Sequence, residues 1–216
     1  MSAQRHDLIY LEHQVPFSIS TLHADKHMIE QQVVAWLAQG LPCIYAKQAR
    51  DDATLNLGLP LFFAEKKHRV GLRVKPSAVV KQQSLPQLIE MQDYFRRCHG
   101  LSDILATLNS ISGSDIAVYG SFLFHYLSGQ PSVNQASDLD LLINYQGWSL
   151  ATLHELISVL SRKLQRTIDG EIRFQQVGDI PIKELLNLSA TEFLCKNHDG
   201  VALIPRMKLY EHYPLL

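Results

Sequence analysis

The stretch Ser137–Asn144, with the sequence SDLDLLIN, alternates two aspartates with apolar residues. Successive side chains of a β-strand point to opposite faces of the sheet. Asp138 and Asp140 therefore share one face, and the leucine between them lies on the other. The pattern predicts a strand over residues 138–144 whose apolar face packs in the core and whose other face carries two carboxylates.

The two carboxylates give this face a specific chemistry. Two carboxylates about 4 Å apart repel each other by roughly 4 kcal/mol at an effective dielectric constant of 20. A divalent cation between them reverses that sign, and oxygen-only ligands select Mg²⁺ or Mn²⁺. Leu142 lies on the same face, which indicates that this face is not simply exposed to water. The alternative is a solvated strand edge on which two charges prevent aggregation, and so short a motif leaves both interpretations open.

Helices and strands alternate on both sides of this strand. The predicted elements are a helix containing Leu88, Met91, Phe95 and Cys98, a second helix from Ser102 to about Ser110, a strand over 116–119, a helix over 122–127, a helix capped by Ser149, a strand over 167–175 and a short helix over 183–188. The helix after Ser149 has one apolar face, formed by Leu153, Leu156, Ile157, Leu160 and Leu164. This alternation around a small sheet predicts an α/β fold for the second half of the chain.

The first half of the chain is separated from the second half by a stretch between Lys75 and Pro86. Two prolines and polar residues bracket this stretch. Before it, residues 8–11, 42–46 and 69–75 have the pattern of strands, and a helix is predicted between the first two. The apolar face of that helix consists of Ile29, Val33, Trp36 and Leu37, and Gly40 stands where a C-terminal cap is expected. We therefore predict an N-terminal α+β domain over residues 1–80 and a second domain over residues 86–216.

The composition excludes several classes of protein. The 216 residues include 20 Lys and Arg against 21 Asp and Glu, a formal net charge of −1, which argues against a protein that binds duplex DNA or anionic lipid. Three dispersed cysteines favour reduced thiols over disulfides or a zinc site. Charged residues interrupt the N-terminus and every apolar run, so neither a signal peptide nor a membrane span is expected. We expect a soluble cytoplasmic protein without a nucleic-acid or membrane partner.

A candidate phosphate site follows the strand over 116–119. Gly120 and Ser121 stand between this strand and the next helix. Glycine lets the backbone approach a ligand closely, serine supplies a hydroxyl group, and the amides at a helix start point toward an anion. The alternative is an ordinary turn, in which the Gly-Ser dipeptide is common.

A second acidic segment lies in the strand over 167–175. Asp169, Glu171 and Arg173 alternate there, so their side chains share one face. If this strand lies beside the strand over 138–144, a third carboxylate can reach the aspartate pair. A polar, solvated outer face is the competing interpretation.

Basic residues are concentrated between Glu65 and Lys81. This segment contains Lys66, Lys67, Arg69, Arg73, Lys75 and Lys81 against one acid. Such a face could bind an acidic protein or several phosphates, with Arg69, Arg73 and Lys75 as candidate contacts, or it could be a solvated strand face. Arg173 and Lys183 are further candidates for phosphate contact.

Taken together, these motifs resemble the nucleotidyltransferase superfamily of the polymerase-beta kind. That pattern has a Gly-Ser pair, a spacer, an acid–hydrophobic–acid strand and an acid on a later strand. The spacer of 16 residues between Ser121 and Asp138 is longer than in many members. The chain is more similar to one branch, the phosphoribosyl-dephospho-CoA transferases, or holo-acyl-carrier-protein synthases of malonate decarboxylase. The segments that carry this resemblance are Arg5-His6-Asp7-Leu8, Tyr119-Gly120-Ser121, Ser137–Leu142 and Asp169-Gly170-Glu171.

The resemblance implies a fold and a reaction. The fold would be a small mixed sheet flanked by helices, preceded by a smaller N-terminal α+β domain. The enzyme would transfer the prosthetic group of 2'-(5''-triphosphoribosyl)-3'-dephospho-CoA to a serine of the acyl carrier protein subunit of malonate decarboxylase, with release of pyrophosphate. Displacement at phosphorus needs cations and positioning more than a protein nucleophile.

The resemblance also assigns roles to residues. Asp138 and Asp140 would bind Mg²⁺ or Mn²⁺, with Glu171 as the third acid and Asp169 as its alternative. Gly120 and Ser121 would bind the departing phosphates. Two other functions stay open: a nucleotidyltransferase acting on a small molecule or another protein, and an inactive module that binds a nucleotide or a partner.

Overall fold

The computed structural model describes residues 3–23, 25–48, 53–99, 115–197 and 200–216. They form two compact units, of which the first comprises the residues up to Leu85 together with Leu127–Ser132 and Gly200. The second unit comprises the other described residues from Pro86 onward. The predicted helix over 102–110 lies outside the described residues.

The first unit is built on a six-stranded antiparallel sheet with the strand order β2-β5-β4-β3-β1-β6. Its elements are β1 (Leu8–Leu11), β2 (Phe17–Ser20), α1 (Lys26–Ala38), β3 (Cys43–Tyr45), β4 (Leu55–Phe63), β5 (Lys66–Val74), a 3₁₀ turn (Pro76–Ala78) and β6 (Val79–Gln83). On β5, Val70, Leu72 and Val74 are buried, whereas Arg69 and Arg73 are exposed. This alternation matches the one that the sequence predicts.

Helix α1 forms where the sequence predicts it. Its apolar residues Ile29, Val33, Trp36 and Leu37 are all buried. The Asp25 side chain accepts a hydrogen bond from the Met28 backbone N–H, which satisfies one of the unpaired amides at the start of the helix. Gly40 follows the end of the helix with φ +68°, a conformation that glycine adopts without strain.

Part of the stretch that the prolines bracket is a strand of the first sheet, and the first unit extends to Leu85. Residues 79–83 form β6, which pairs with β1 from Leu8 to Leu11. Four of the five β6 residues are exposed, so their composition resembles that of a loop. Only the pairing with a distant strand shows that the segment belongs to the first sheet.

The second unit is built on a six-stranded mixed sheet with the strand order β12-β11-β10-β9-β8-β7. Its elements are α2 (Gln92–His99), β7 (Ile116–Tyr119), α3 (Gly120–Ser128), β8 (Leu139–Asn144), α4 (Leu150–Leu164), β9 (Ile168–Phe174), β10 (Gly178–Pro181), α5 (Ile182–Leu186), β11 (Glu192–Asn197), β12 (Gly200–Pro205) and α6 (Arg206–His212). Strands β8 and β9 are parallel, whereas β7–β8, β9–β10 and β10–β11 are antiparallel.

The parallel pair is joined through α4, as a βαβ crossover requires. The Ser149 side chain accepts a hydrogen bond from the Thr152 N–H and caps α4 as predicted. The helix contributes Leu153, Leu156, Leu160 and Leu164 to the same buried cluster as Leu139, Leu141 and Ile143 of β8. One face of β8 is therefore held in the core, and its other face is left for the acids.

The predicted fold class, a mixed α+β protein in two parts, is confirmed. Strands β2, β4, β6 and β10–β12 are additional to those that the sequence predicts. None of the described helices has both the length and the apolar character needed to cross a membrane.

Candidate active site

The parallel pairing of β8 with β9 brings two acids side by side. Asp140 is the register partner of Asp169, and paired residues of neighbouring strands project to the same face of a sheet. Asp138 stands two residues before Asp140 and belongs to the same face by alternation. Asp138 and Asp169 keep 43% and 34% of their side-chain surface exposed. Three carboxylates thus line one accessible part of the sheet.

Gly120 lies directly against this group. Tyr119 is the β7 residue paired with Asp140, and α3 starts at the next residue. Gly120 has φ +67°, and a Cβ atom there would overlap the Asp140 carboxylate. Both the backbone conformation and the close approach require glycine at this position. The Gly-Ser pair predicted as a phosphate site is therefore beside the acids.

Lys183, in the first turn of α5, contacts two of these acids. Its Nζ lies 2.8 Å from Oδ2 of Asp169 and 4.0 Å from Oδ2 of Asp138. The hydrogen bond to Asp169 raises the pKa of the Lys183 ammonium, and the nearby aspartate charges add to this effect. The ammonium is therefore held in its charged form beside the carboxylates, although the side chain is 61% exposed.

Asp169 is also fixed by the backbone that follows it. The Gly170 N–H donates to Asp169 Oδ1 at 2.8 Å. Gly170 has φ +125°, and a Cβ atom there would overlap the Leu141 backbone of β8. The glycine of the Asp-Gly-Glu segment thus permits close packing of the two parallel strands, which positions Asp169 beside Asp140.

Glu171 occupies the next row of the same sheet face. It is paired with Leu142 rather than with an aspartate, and both residues are buried. Its Oε1 accepts a hydrogen bond from Lys196 Nζ at 2.9 Å. The structure thus places the two candidate third acids differently: Asp169 adjoins Asp140, and Glu171 is buried in an ion pair one row further along.

Arg173 lies one row beyond Glu171. Its Nε and Nη2 donate to the two carboxylate oxygens of Asp179 at 2.7 and 2.9 Å. The side chains of Arg173 and Asp179 are 19% and 4% exposed. The Asp179 carboxylate thus engages the Arg173 guanidinium group, which the sequence offers as a candidate for phosphate contact.

The other basic candidates belong to the first unit. Arg73 Nε donates to Asn56 Oδ1 at 3.2 Å, and Arg69 pairs with Pro60 in the sheet register. Arg73 and Lys75 line an open cleft of about 540 Å³. Arg69, Arg73 and Lys75 thus belong to the first unit, whereas Asp138, Asp140 and Asp169 belong to the second.

Sequence reasoning does not single out Lys196 or Asp179. Lys196 lies on β11 and Asp179 on β10, and each has an ordinary local pattern. Their importance comes from cross-strand contacts with Glu171 and Arg173. The local sequence shows only that an acid lies within a strand. Alternation alone does not show that this acid is buried.

The geometry suits binding of a divalent cation and phosphates. Carboxylate oxygens from Asp138, Asp140 and Asp169 are hard donors of the type that Mg²⁺ and Mn²⁺ prefer. They are partly exposed, so a cation and a substrate have access. The first amides of α3 lie next to them, where the partial positive charge of a helix start attracts anions.

Two protein-family models match the chain. Residues 80–207 match the model of the phosphoribosyl-dephospho-CoA transferase MdcG C-terminal domain, and residues 4–84 match that of the N-terminal domain. No solved structure matches the chain at a significant level.

Curated relatives match over almost the whole length. A phosphoribosyl-dephospho-CoA transferase of Xanthomonas campestris pv. campestris (strain 8004) is 28% identical over 96% of this chain and 97% of its own. The protein of the same name from Bradyrhizobium diazoefficiens is 25% identical over 94% of this chain and 90% of its own. The chain is a transferase that belongs to the phosphoribosyl-dephospho-CoA transferase family.

Proposed function

We propose that this transferase moves the phosphoribosyl-dephospho-CoA group from 2'-(5''-triphosphoribosyl)-3'-dephospho-CoA to a serine of the acyl carrier protein of malonate decarboxylase. The serine oxygen attacks the phosphorus nearest the ribose, and a new phosphodiester bond forms. The bond to the terminal two phosphates breaks, so pyrophosphate leaves. We expect the reaction to take place in the cytoplasm.

The observation that supports this proposal most directly is the register of Asp140 with Asp169 beside Gly120. A phosphoryl-transfer site needs grouped carboxylates for a cation and backbone amides for phosphate oxygens. The parallel strands supply the carboxylates, and the start of α3 supplies the amides. Family membership supplies the identity of the substrate class.

The residues that would bind Mg²⁺ or Mn²⁺ are Asp138, Asp140 and Asp169. We prefer Asp169 to Glu171 as third ligand because Asp169 adjoins Asp140, whereas Glu171 is 4% exposed and bonded to Lys196. When bound, the cation supplies charge neutralisation at the phosphates.

The chain's own residues would orient the substrate. Gly120 leaves room for the Asp140 carboxylate, and we expect the Gly120 backbone and the Ser121 hydroxyl to contact phosphate oxygens. A carboxylate of the site would accept the proton of the attacking serine. Arg173 is engaged by Asp179, so we assign it to the sheet rather than to the substrate.

The test is the mass of the carrier protein. Apo acyl carrier protein, the triphosphoribosyl substrate and Mg²⁺ are mixed with the transferase, and the carrier is weighed by mass spectrometry while pyrophosphate is assayed. We expect a mass gain equal to the prosthetic group and one pyrophosphate for each carrier modified. Asp138→Ala and Asp140→Ala should abolish the gain, and Glu155→Ala, an exposed acid on α4, should not.

Other outcomes would identify the remaining functions. Pyrophosphate release from a nucleoside triphosphate, with no mass gain on the carrier, would indicate a nucleotidyltransferase with another acceptor. Binding of the triphosphoribosyl substrate without any product would indicate a binding module. Either result would contradict the proposal.

A further inference from the structure

Lys183 places a positive charge among the carboxylates that a metal ion would use. Its Nζ lies 2.8 Å from Asp169 Oδ2 and 4.0 Å from Asp138 Oδ2. Asp169 Oδ1 accepts the Gly170 N–H, so its other oxygen is the one that Lys183 contacts. The ammonium thus lies at a carboxylate oxygen that faces the site.

A metal ion and this ammonium compete for the same carboxylates. Mg²⁺ binds carboxylate oxygens at about 2.0–2.1 Å. A metal on Asp169 would therefore lie within about 5 Å of an ammonium that stays bonded to that carboxylate. Two positive charges at that separation repel each other, and each weakens the binding of the other.

The Lys183 side chain can reorient while its backbone stays in place. Its side chain is 61% exposed, it stands in the first turn of the short helix α5, and a lysine ammonium on its four-carbon stem reorients readily. Its neighbours Ile182 and Leu185 are buried, so the helix itself stays anchored. A swing of the side chain leaves the backbone in place and keeps the charge at the rim of the site.

The phosphates of the substrate offer the ammonium a new partner. On the proposed function, three phosphates approach the face that carries Asp138, Asp140 and Asp169, and pyrophosphate leaves from it. Lysine is a common phosphate ligand in proteins and acts as a point charge. The Lys183 ammonium, once displaced from Asp169, would meet these phosphate oxygens at close range.

We propose that Lys183 neutralises the carboxylates before metal binds and then passes from Asp169 to the leaving phosphates. This inference rests on the proposed function for the identity of those phosphates. It predicts effects of opposite sign for loss of the charge: the metal binds more tightly to the substrate-free protein, and pyrophosphate binds more weakly to the metal-loaded protein. A lysine that only stabilises α5 would change neither affinity.

The test uses Lys183→Met, which removes the charge and keeps much of the stem. Mn²⁺ binding to the substrate-free protein is measured by electron paramagnetic resonance, and inorganic pyrophosphate binding by calorimetry in excess Mg²⁺. We expect the Mn²⁺ dissociation constant to fall at least about threefold and that of pyrophosphate to rise by about tenfold. Lys163→Met, an exposed lysine on α4, is the matched control and should alter neither.

A second variant separates charge from shape. Lys183→Arg keeps the charge and should leave the Mn²⁺ dissociation constant within about twofold of the unmodified protein. Unchanged Mn²⁺ affinity in Lys183→Met, unchanged pyrophosphate affinity, or absence of saturable Mn²⁺ binding by the unmodified protein would each overturn the inference. The carrier mass assay on the unmodified protein reports separately on the proposed function.

Discussion

Asp140 and Asp169 are register partners on the parallel strands β8 and β9, and their side chains project from the same face of the sheet. Residues 29 positions apart in the chain are thereby made neighbours. The βαβ crossover through α4 fixes this pairing, because its buried leucines pack in the same cluster as the apolar face of β8. The register therefore decides which acids can share a ligand.

The first prediction separates the two candidate third acids. Asp169→Asn should weaken Mn²⁺ binding at least about tenfold and slow transfer by a similar factor or more, because a ligand oxygen loses its charge beside Asp140. Glu171→Gln should leave Mn²⁺ affinity within about threefold, since Glu171 lies one row away in an ion pair. Mn²⁺ titration of both variants is the measurement.

Stability distinguishes the same variants. Glu171→Gln leaves the Lys196 ammonium, which is 30% exposed, without its charged partner, and we expect a loss of about 1–3 kcal/mol in the free energy of unfolding. Asp169→Asn removes a more exposed group and should cost less. A large loss of Mn²⁺ affinity in Glu171→Gln with none in Asp169→Asn would reverse our choice of ligand.

The second prediction concerns Gly120, for which Gly129 is a matched control. Both glycines have positive φ, +67° and +68°. A Cβ atom at Gly120 would overlap the Asp140 carboxylate, whereas one at Gly129 would have no neighbour within 4 Å. Alanine should cost each position about 1 kcal/mol for its backbone conformation. Only Gly120→Ala must also displace Asp140.

We therefore expect Gly120→Ala to lower carrier modification at least about tenfold, through loss of cation and phosphate binding. Gly129→Ala should keep transfer within about twofold of the unmodified protein, with a melting temperature lowered by about 2–4 °C. The carrier mass assay and thermal unfolding measure both quantities. Equal activity of the two variants would mean that the contact between Gly120 and Asp140 has no part in the reaction.

The local sequence predicts much of this site because its signals are local. The alternation in Ser137–Asn144 places Asp138 and Asp140 on one face, and the glycine before Ser121 marks the close approach. The start of a helix is predictable in the same way, since Ser149 caps α4 as expected. Each of these features depends on residues within a few positions of one another.

The sequence does not predict the features that depend on pairing between distant strands. Asp169 and Glu171 point to the same side of β9, and only the register with β8 separates them. Strand β6 is mostly exposed and polar, so pairing with β1 alone reveals it. Non-local contacts of this kind leave no periodic signal in the segment itself.

The third prediction concerns the reactivity of the cysteines. Burial raises the pKa of the Cys43 thiol to about 12, which leaves almost no reactive thiolate at pH 8. Cys195 is also buried and its Sγ donates to the Val177 carbonyl, whereas Cys98 is exposed. Iodoacetamide at pH 8 should therefore add one group to each native chain and three to each unfolded chain, as weighed by mass spectrometry.

Raising the pH increases the reactivity of the Cys43 thiol. Its thiolate population grows only as the pH nears the raised pKa, so labelling of the native protein should stay at one group through pH 9. Cys98→Ser should then take up no label. Rapid modification of Cys43 in the native Cys98→Ser variant would contradict the burial of this strand.

The fourth prediction tests what holds β9 in place. Arg173 and Asp179 form a bidentate pair in which the aspartate side chain is 4% exposed. Asp179→Ala removes the bidentate carboxylate from a largely buried guanidinium, and we expect a loss of about 3 kcal/mol in the free energy of unfolding. The measurement is urea unfolding followed by circular dichroism.

An exposed ion pair in the same unit provides the control. Asp93 and Arg96 are 2.7 Å apart with 68% and 59% of their side chains exposed. Asp93→Ala should cost no more than about 1 kcal/mol, because solvent already screens that pair. If both alanine variants lost the same stability, the Arg173–Asp179 pair would contribute no more than a surface contact. A larger loss for Asp179→Ala than for Asp93→Ala would instead show that this pair anchors β9, the strand on which Asp169 depends for its place beside Asp140.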